Sequence, residues 1–448
     1  MRNNIKDMTV GKPIHLMIRF SLPLLLANVL QLLYTMTDSA VVGRMLGVKA
    51  FAEVGVTASF YWLILSVVIS ITQGFGTLFA QRFGAKDMDG LLRLFTTATI
   101  LAAVLSVIIG CVSAVGSISA LKLLNTPSEL MDGASIYLHY LLGGLPITFA
   151  YNLLGAMLRA LGDSKTPLHA MVFATVLNIV FDLVLVIPLG IAGVAIATLL
   201  AQLVASIYCF LALRKTRIVK GNLRWDFASA KELLRLGLPL GFRNAVIEVG
   251  ALVVQWYVNN YGAEFVAGIA VAKQMYSLLL IACSAFEASC ATFVAQNFGA
   301  KNYARVKRGV VDCLFMMLIS SAVTVAFTLL FGRWILSLLI KGESTQIAAV
   351  LNIGMRQLNV LALGLPILCM LFLYRSALQG VGNALIPMLS GFLELAMRIM
   401  SVALLTPFWG EWGVFLSDVT GWIAAAGLLI VSYMVIVNKR LKDNLNVC

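Results

Sequence analysis

Asp38, in Thr35-Met36-Thr37-Asp38-Ser39, and the pair Asn178 and Asp182, in Leu177-Asn178-Ile179-Val180-Phe181-Asp182, are polar or ionisable side chains set inside long apolar runs. An ionisable group near a bilayer centre costs at least ~2.5–3.5 kcal/mol on insertion scales, so each needs a reason to be there. The i, i+4 spacing of Asn178 and Asp182 puts both on one helix face. Thr198, in the next apolar run, adds a hydroxyl. Two carboxylates, an amide and a hydroxyl make an oxygen cluster able to do one of two jobs. It can hold a hard monovalent cation such as sodium in place of hydration oxygens, or it can trade protons. Carboxylates taken out of water beside one another favour the protonated form. Asn178 and Asp182 could instead join helices by hydrogen bonds, but such contacts average only ~0.6 kcal/mol and neutral residues can supply them.

The second half of the chain carries a different polar set within its apolar runs: Glu248, Gln255, Glu287, Glu394 and Arg398. Glu394 and Arg398 are i, i+4 and are expected to pair. Glu248 and Gln255 are seven apart and share a face. Glu287 has no partner nearby in sequence and suits an organic cation, as does Glu248, unless Lys273 pairs with one of them. Gln31, Tyr34, Tyr61, Met157, Met275, Tyr276 and Tyr374 fall near the same depth. With Glu248, Gln255 and Glu287 they form the expected substrate cleft, a pliable lining for flat, cationic or lipophilic ligands. Any one of them is also ordinary packing material.

The elements that position these residues follow from composition. Sixty per cent of the 448 residues are hydrophobic and 12% are charged, about half the charge of an average soluble domain. Uncharged runs long enough to cross a membrane read as helices, because they are apolar on every face rather than alternating. Twelve spans are expected: 17–41, 51–76, 95–117, 134–158, 168–188, 191–212, 233–260, 266–292, 310–331, 350–376, 387–406 and 412–437. The expected fold class is an all-α membrane protein with two pseudo-symmetric six-helix bundles around a central cleft. The expected domains are 12–213, a basic cytoplasmic linker 214–232, and 233–437.

A repeat supports that division. Ala80-Gln81-Arg82-Phe83-Gly84-Ala85-Lys86 returns as Ala295-Gln296-Asn297-Phe298-Gly299-Ala300-Lys301. Pro23 is echoed by Pro239, and Pro146 by Pro366. Leu161-Gly162-Asp163 with Pro167 is echoed by Val381-Gly382-Asn383 with Pro387, and Gly193-Val194 by Gly413-Val414. The paired prolines read as matched helix bends. Duplicated halves in an apolar chain point to a transporter with its site at the repeat interface. The repeat fails at the oxygen cluster: Asp38 corresponds to Val253 or Val254, Asn178 to Arg398 and Asp182 to Val402. A cation site therefore belongs to the first half alone.

The net charge of +13 is unevenly placed. With both termini cytoplasmic, outside loops hold only Arg44, Lys49, Lys122, Arg333 and Lys341, while Arg214, Lys215, Arg217, Lys220, Arg224 and Lys231 crowd the linker. This is the positive-inside pattern of a multi-pass protein of the cell membrane, with membrane lipids as partners and no role for nucleic acid. The cysteines lack any C-x-x-C pair and read as small core residues. No phosphate-binding G-x-x-x-x-G-K-[ST], no H-E-x-x-H and no G-x-S-x-G occurs. No enzyme, catalytic residue or cofactor is expected, and transport would draw on an ion gradient.

The Thr37-Asp38-Ser39-Ala40-Val41-Val42-Gly43 stretch resembles a known family. So do the repeated Ala-Gln-x-Phe-Gly-Ala-Lys, the Leu158-to-Pro167 stretch and the Asn178…Asp182 pair. In this order, over roughly residues 12–437, they look like the multidrug and toxic compound extrusion (MATE) family. The resemblance implies antiport, in which small organic cations or lipophilic drugs leave as protons or sodium ions enter. It implies two lobes with a central cleft, a monomer, and cation coupling at Asp38, Asn178, Asp182 and Thr198. A lipid-linked oligosaccharide flippase of the same superfamily is the alternative. It would favour unpaired Arg and Lys, whereas membrane-depth acids outnumber unpaired bases in this reading.

Overall fold

The structure is a computed structural model that describes residues 4–216, 218, 224–339 and 344–445, and side chains outside 339–345 and 438–448. Of the expected linker, Arg217 and Lys220 lie outside the described residues, as does Lys341. The described residues form α-helices throughout: α1 (Pro13–Met45), α2 (Gly47–Gly84), α3 (Met88–Leu123), α4 (Ser128–Gly143), α5 (Leu145–Ala160), α6 (Lys165–Leu189) and α7 (Ile191–Lys215). These are followed by α8 (Phe227–Asn259), α9 (Ala263–Gly299), α10 (Tyr303–Leu339), α11 (Ser344–Gly380), α12 (Leu385–Trp409), the short α13 (Trp412–Phe415) and α14 (Ser417–Leu445).

Among the described residues, eleven helices are long and apolar enough to cross a membrane unbroken. A twelfth span is made by α4 and α5, which meet at a 49° bend. The sequence reads this stretch as one helix, 134–158. The bend has a local cause: Leu199 of α7 presses against Gly144, where a Cβ would sit 2.3 Å from its methyl groups. Pro146 then occupies the first turn of α5, where a missing N–H costs nothing. The expected match between Pro146 and Pro366 is therefore one of sequence only, because Pro366 lies inside the continuous α11.

The chain divides into two compact units, one of Met1–Val10 with Leu22–Gly241 and one of Gly11–Ser21 with Phe242–Cys448. Both α1 and α8 change unit partway along, close to Pro23 and Pro239. In the first unit α2 packs on α3, α4 and α5, and α7 on α4, α5 and α6. The start of α8 reaches α2 through Gly237 and Gly241. A Cβ on Gly74 would meet the Gly237 Cα at 2.9 Å, and Phe75 and Ile71 fill the space beside the two α8 glycines. Small residues four apart allow this approach, which hydrocarbon-buried helices favour. In the second unit α9, α10 and α14 pack on α11, and α12 packs on α14. The Ser289 hydroxyl donates to the Met17 carbonyl (3.1 Å), fixing the opening turns of α1 to α9.

The repeated motif closes these hairpins. Lys86 N–H donates to Phe83 O (3.0 Å) and Asp87 N–H to Arg82 O (3.0 Å); Lys301 N–H donates to Phe298 O (2.9 Å) and Asn302 N–H to Asn297 O (2.9 Å). Both lysines are left-handed, with φ of 58° and 57°. These are Schellman-type helix ends, which satisfy the last carbonyls of α2 and α9. Asp87 then starts the next helix by accepting from Gly90 N–H (2.8 Å). Gly162 with Asp163, and Gly382 with Asn383, repeat the device before α6 and α12. Replacing Lys301 by Val should lower the melting temperature of the detergent-solubilised protein, since a β-branched residue at this φ loses ~1–2 kcal/mol. Lys301→Gly should leave it unchanged. Gly162→Ala should also melt earlier, because φ is +80° and the new Cβ would meet the Lys6 carbonyl oxygen.

Candidate functional site

On α6 the apolar side chains Phe173, Val176, Val180, Leu183, Val184 and Ile187 are exposed, while Asn178 and Asp182 are fully buried. The helix thus turns its oily face outward and its polar face into the first unit, as a lipid-facing helix with an internal polar site must. Five atoms there have no hydrogen-bond partner among the described residues: Asn178 Nδ2 and Oδ1, both Asp182 carboxylate oxygens, and Asp38 Oδ1. Asp38 and Asp182 are close electrostatic neighbours. Thr198, nearly buried on α7, accepts a hydrogen bond from the Tyr34 hydroxyl (3.3 Å). Asp38 on α1 and Asp182 on α6 are thus neighbours, Asn178 lies one turn from Asp182 on the same helix, and Thr198 on α7 reaches Tyr34, which is itself beside both carboxylates.

Tyrosines surround it. Tyr34 and Tyr137 are each within electrostatic reach of both carboxylates, and Tyr61 lies beside them. Tyr61 also interacts with Thr148, whose hydroxyl donates to Gln202 Oε1 (2.7 Å). Tyr34 and Tyr61 were expected as cleft residues, whereas Tyr137 was not singled out. Nothing in Ser135-Ile136-Tyr137-Leu138 marks it, because its place depends on the packing of α4. Beyond the tyrosines, Val42, Ala50, Leu141, Val186, Val194, Ala195 and Leu199 form an apolar cluster that includes Tyr137.

The donor set fits a hard monovalent cation or protons. All candidate ligands are oxygens, two are carboxylates, and unsatisfied buried groups of this kind cost ~1–3 kcal/mol each if nothing meets them. No group of three or more His, Cys, Asp or Glu able to hold a metal occurs among the described residues.

The polar residues of the second unit are arranged differently, as a paired network. Glu394 lies between two arginines, with Arg375 Nη2 at 3.0 Å from Oε2 and Arg398 Nη2 at 2.9 Å from Oε1. Arg398 Nε lies 3.0 Å from Asp418 Oδ1, an ion pair whose N–H is not aligned as a hydrogen bond. Arg398 Nη1 donates to the Ile247 carbonyl (3.3 Å). The expected Glu394–Arg398 pair is present, within a larger group. Lys273 donates to Gln255 Oε1 (2.9 Å) rather than to a glutamate. Glu248 is an electrostatic neighbour of Arg398, and Glu287 of Arg243 and Arg375. Arg243, Arg375 and Asp418 were missed in sequence. Asp418 was findable, since it follows Thr198 by the same interval that relates Asn178 to Arg398. Arginines 243 and 375 are both buried, so bases are more numerous beside these acids than the sequence reading allows.

The other expected cleft residues are divided between the units. Gln31 is exposed on α1 and Met157 is buried in α5, both in the first unit. In the second, Met275 packs with Leu279, Leu336, Leu351 and Leu358 in an apolar cluster. Tyr276 stacks on Trp422 (6.0 Å between ring centroids), and Tyr374 tilts against Tyr433 (5.4 Å).

Comparison with known proteins places this architecture. The MatE family model matches residues 23–184 and matches again over 239–404, once in each half. The chain is 31% identical over 306 residues to the probable multidrug resistance protein YpnP of Bacillus subtilis, covering 67% of this chain and 68% of that one. It is 26% identical over 397 residues to the probable multidrug resistance protein NorM of Thermotoga maritima, covering 86% and 84%. Its fold is similar to the outward-facing conformation of a multidrug resistance MATE family transporter, with a TM-score of 0.88 and 22% identity over 98% and 99% of the two chains. Twelve spans, a repeated half and a family match across both halves lead to one assignment: this chain is a membrane transporter of the MATE family.

Proposed function

We propose that this transporter is a secondary antiporter that exports cationic or lipophilic organic compounds in exchange for protons or sodium ions bound at Asp38, Asn178, Asp182 and Thr198. The observation that carries the reading is the set of five unpartnered buried polar atoms on α1 and α6. A purely helix-joining role would leave the Asn178 amide paired with neighbours, and the contact between Asp38 and Asp182 is one that two carboxyl groups make only by sharing a proton. A coupling role needs them available. When a cation or proton enters, it relieves the repulsion between Asp38 and Asp182 and draws α1 towards α6. When it leaves, the two carboxylates push apart, so the spacing of two membrane helices follows the ion gradient.

Cationic or lipophilic cargo fits the second unit better than an anionic headgroup does. Its buried arginines are matched by acids, Arg375 and Arg398 by Glu394 and Asp418, with Glu287 beside Arg243. In this reading the halves 12–213 and 233–437 each build most, though not all, of one lobe and are joined by the basic linker, the protein works as a monomer among membrane lipids, and both termini are cytoplasmic.

The test is ethidium efflux from proteoliposomes driven in turn by a pH gradient and by a sodium gradient. Asp38→Asn and Asp182→Asn should each lower cation-driven efflux by more than ~tenfold while the protein still inserts and folds, as expected for losing a charged contact of ~1.5–3 kcal/mol. Normal transport by either variant would remove the site from the mechanism. A second measurement separates coupling from helix joining. Asn178→Leu removes an unpartnered buried amide at similar volume, so the protein should melt at the same temperature or a few degrees higher while cation-driven efflux falls. A clear loss of stability would identify Asn178 as a structural contact.

A further inference from the structure

The last part of each half corresponds at a constant interval in sequence, although the single α7 is matched by α13 and α14 together. Helices α6 and α12 are both 25 residues long, Lys165–Leu189 and Leu385–Trp409. Each ends at a left-handed glycine, Gly190 with φ 58° and Gly410 with φ 56°, whose N–H bonds back to Val186 O or Thr406 O. At this fixed interval Asn178 corresponds to Arg398, Asp182 to Val402 and Thr198 to Asp418. On the first helix of each half, Asp38 corresponds to Val254 when Pro23 is set against Pro239.

The four substitutions belong together. Where the first unit places the neighbouring carboxylates Asp38 and Asp182, the second places Val254 and Val402 in one apolar cluster, both buried. Where the first unit holds an unpartnered amide, the second holds a guanidinium with a partner on each of three helices. Arg398 reaches the Ile247 carbonyl on α8, Glu394 on its own α12, and Asp418 on α14. Helices α8, α12 and α14 are the counterparts of α1, α6 and α7, the three that carry Asp38, Asn178, Asp182 and Thr198. The groups facing Arg398 are Glu394, Asp418, Glu248, Tyr276 and Lys273, with Arg375 sharing Glu394. Acids and bases there are equal in number, three of each.

We propose that the Arg398 guanidinium is a tethered cation, occupying in the second unit the place that the exchangeable cation takes in the first. This rests on the reading of Asp38, Asn178 and Asp182 as a cation site. It adds that the second unit is held permanently in the ion-bound arrangement, that it takes up no coupling ion, and that ion dependence enters through one site only. Arg398 is a positioning residue: it ties three helices and touches no cargo in this argument.

Removing the side chain should leave a site shaped for a free guanidinium ion. Arg398→Ala should melt on the order of 10 °C lower in detergent, the scale expected for a buried acid pair left one base short. Millimolar guanidinium or methylguanidinium should recover at least half of that loss, whereas sodium or potassium chloride at equal ionic strength should not. Wild type should not respond. No loss on substitution, or recovery with every salt alike, overturns the proposal. If Arg398→Ala does not fold, Arg398→Leu combined with Asp418→Leu removes one base and one acid together and keeps the charge balanced. This double variant should fold and retain wild-type dependence of efflux on the driving ion. A changed ion dependence would show that the second unit takes part in coupling, against the proposal. The guanidinium measurement does not use Asp38 or Asp182. Failure of the coupling reading would appear in the efflux of their variants, and failure of the tethered cation would appear in the melting of Arg398→Ala.

Discussion

Hydrocarbon solvates neither an unpaired peptide group nor a bare charge, and most of this structure follows from that. The backbone answers it with long helices whose ends are closed by repeated hydrogen-bonded turns. The charged side chains answer it in two ways. In the second unit Glu394 and Asp418 form ion pairs with Arg375 and Arg398, although one nitrogen on each of Arg243, Arg375 and Arg398 keeps no hydrogen-bond partner among the described residues. In the first unit the Asp182 carboxylate, the Asn178 amide and one oxygen of Asp38 are buried with no hydrogen-bond partner among the described residues.

The duplication was legible because scaffold residues repeat at nearly constant spacing. What the repeated Ala-Gln-x-Phe-Gly-Ala-Lys does was less legible. The final lysine carries no signal for a left-handed turn, which glycine usually supplies, yet both copies adopt it. The twelve spans were also readable, except that a glycine pressed by Leu199 does not announce a 49° bend. Apolar periodicity records burial but not which neighbour will displace a backbone.

The oxygen cluster could be read from sequence because charges at membrane depth are costly and few. The same logic should have found Arg243 and Arg375. Arg375 closes the expected span 350–376, where a boundary shift of one turn changes its depth, whereas Arg243 lies well inside 233–260 and was as legible as Glu248. Lys273 went to Gln255 rather than to a glutamate because α8 and α9 set the register of that pair. Partner choice across helices is a property of packing, and a single sequence does not encode it in any local pattern. The halves agree in helix ends and disagree in the residues that face inward, so correspondence is itself informative where it breaks.

The exchange of α1 and α8 between units bears on how a duplicated chain of this kind could have begun. The opening turns of α1 belong to the unit built mainly by the second half, and the opening turns of α8 to the unit built mainly by the first. A single half cut from the chain would lack part of its own unit and carry part of another. Two copies of one half that trade the start of their first helix make a swapped dimer. Joining them through a linker makes the trade intramolecular, so that it no longer depends on concentration. Once joined, two such copies no longer need to be alike, and here the Asn178 amide of one half stands against the Arg398 guanidinium of the other.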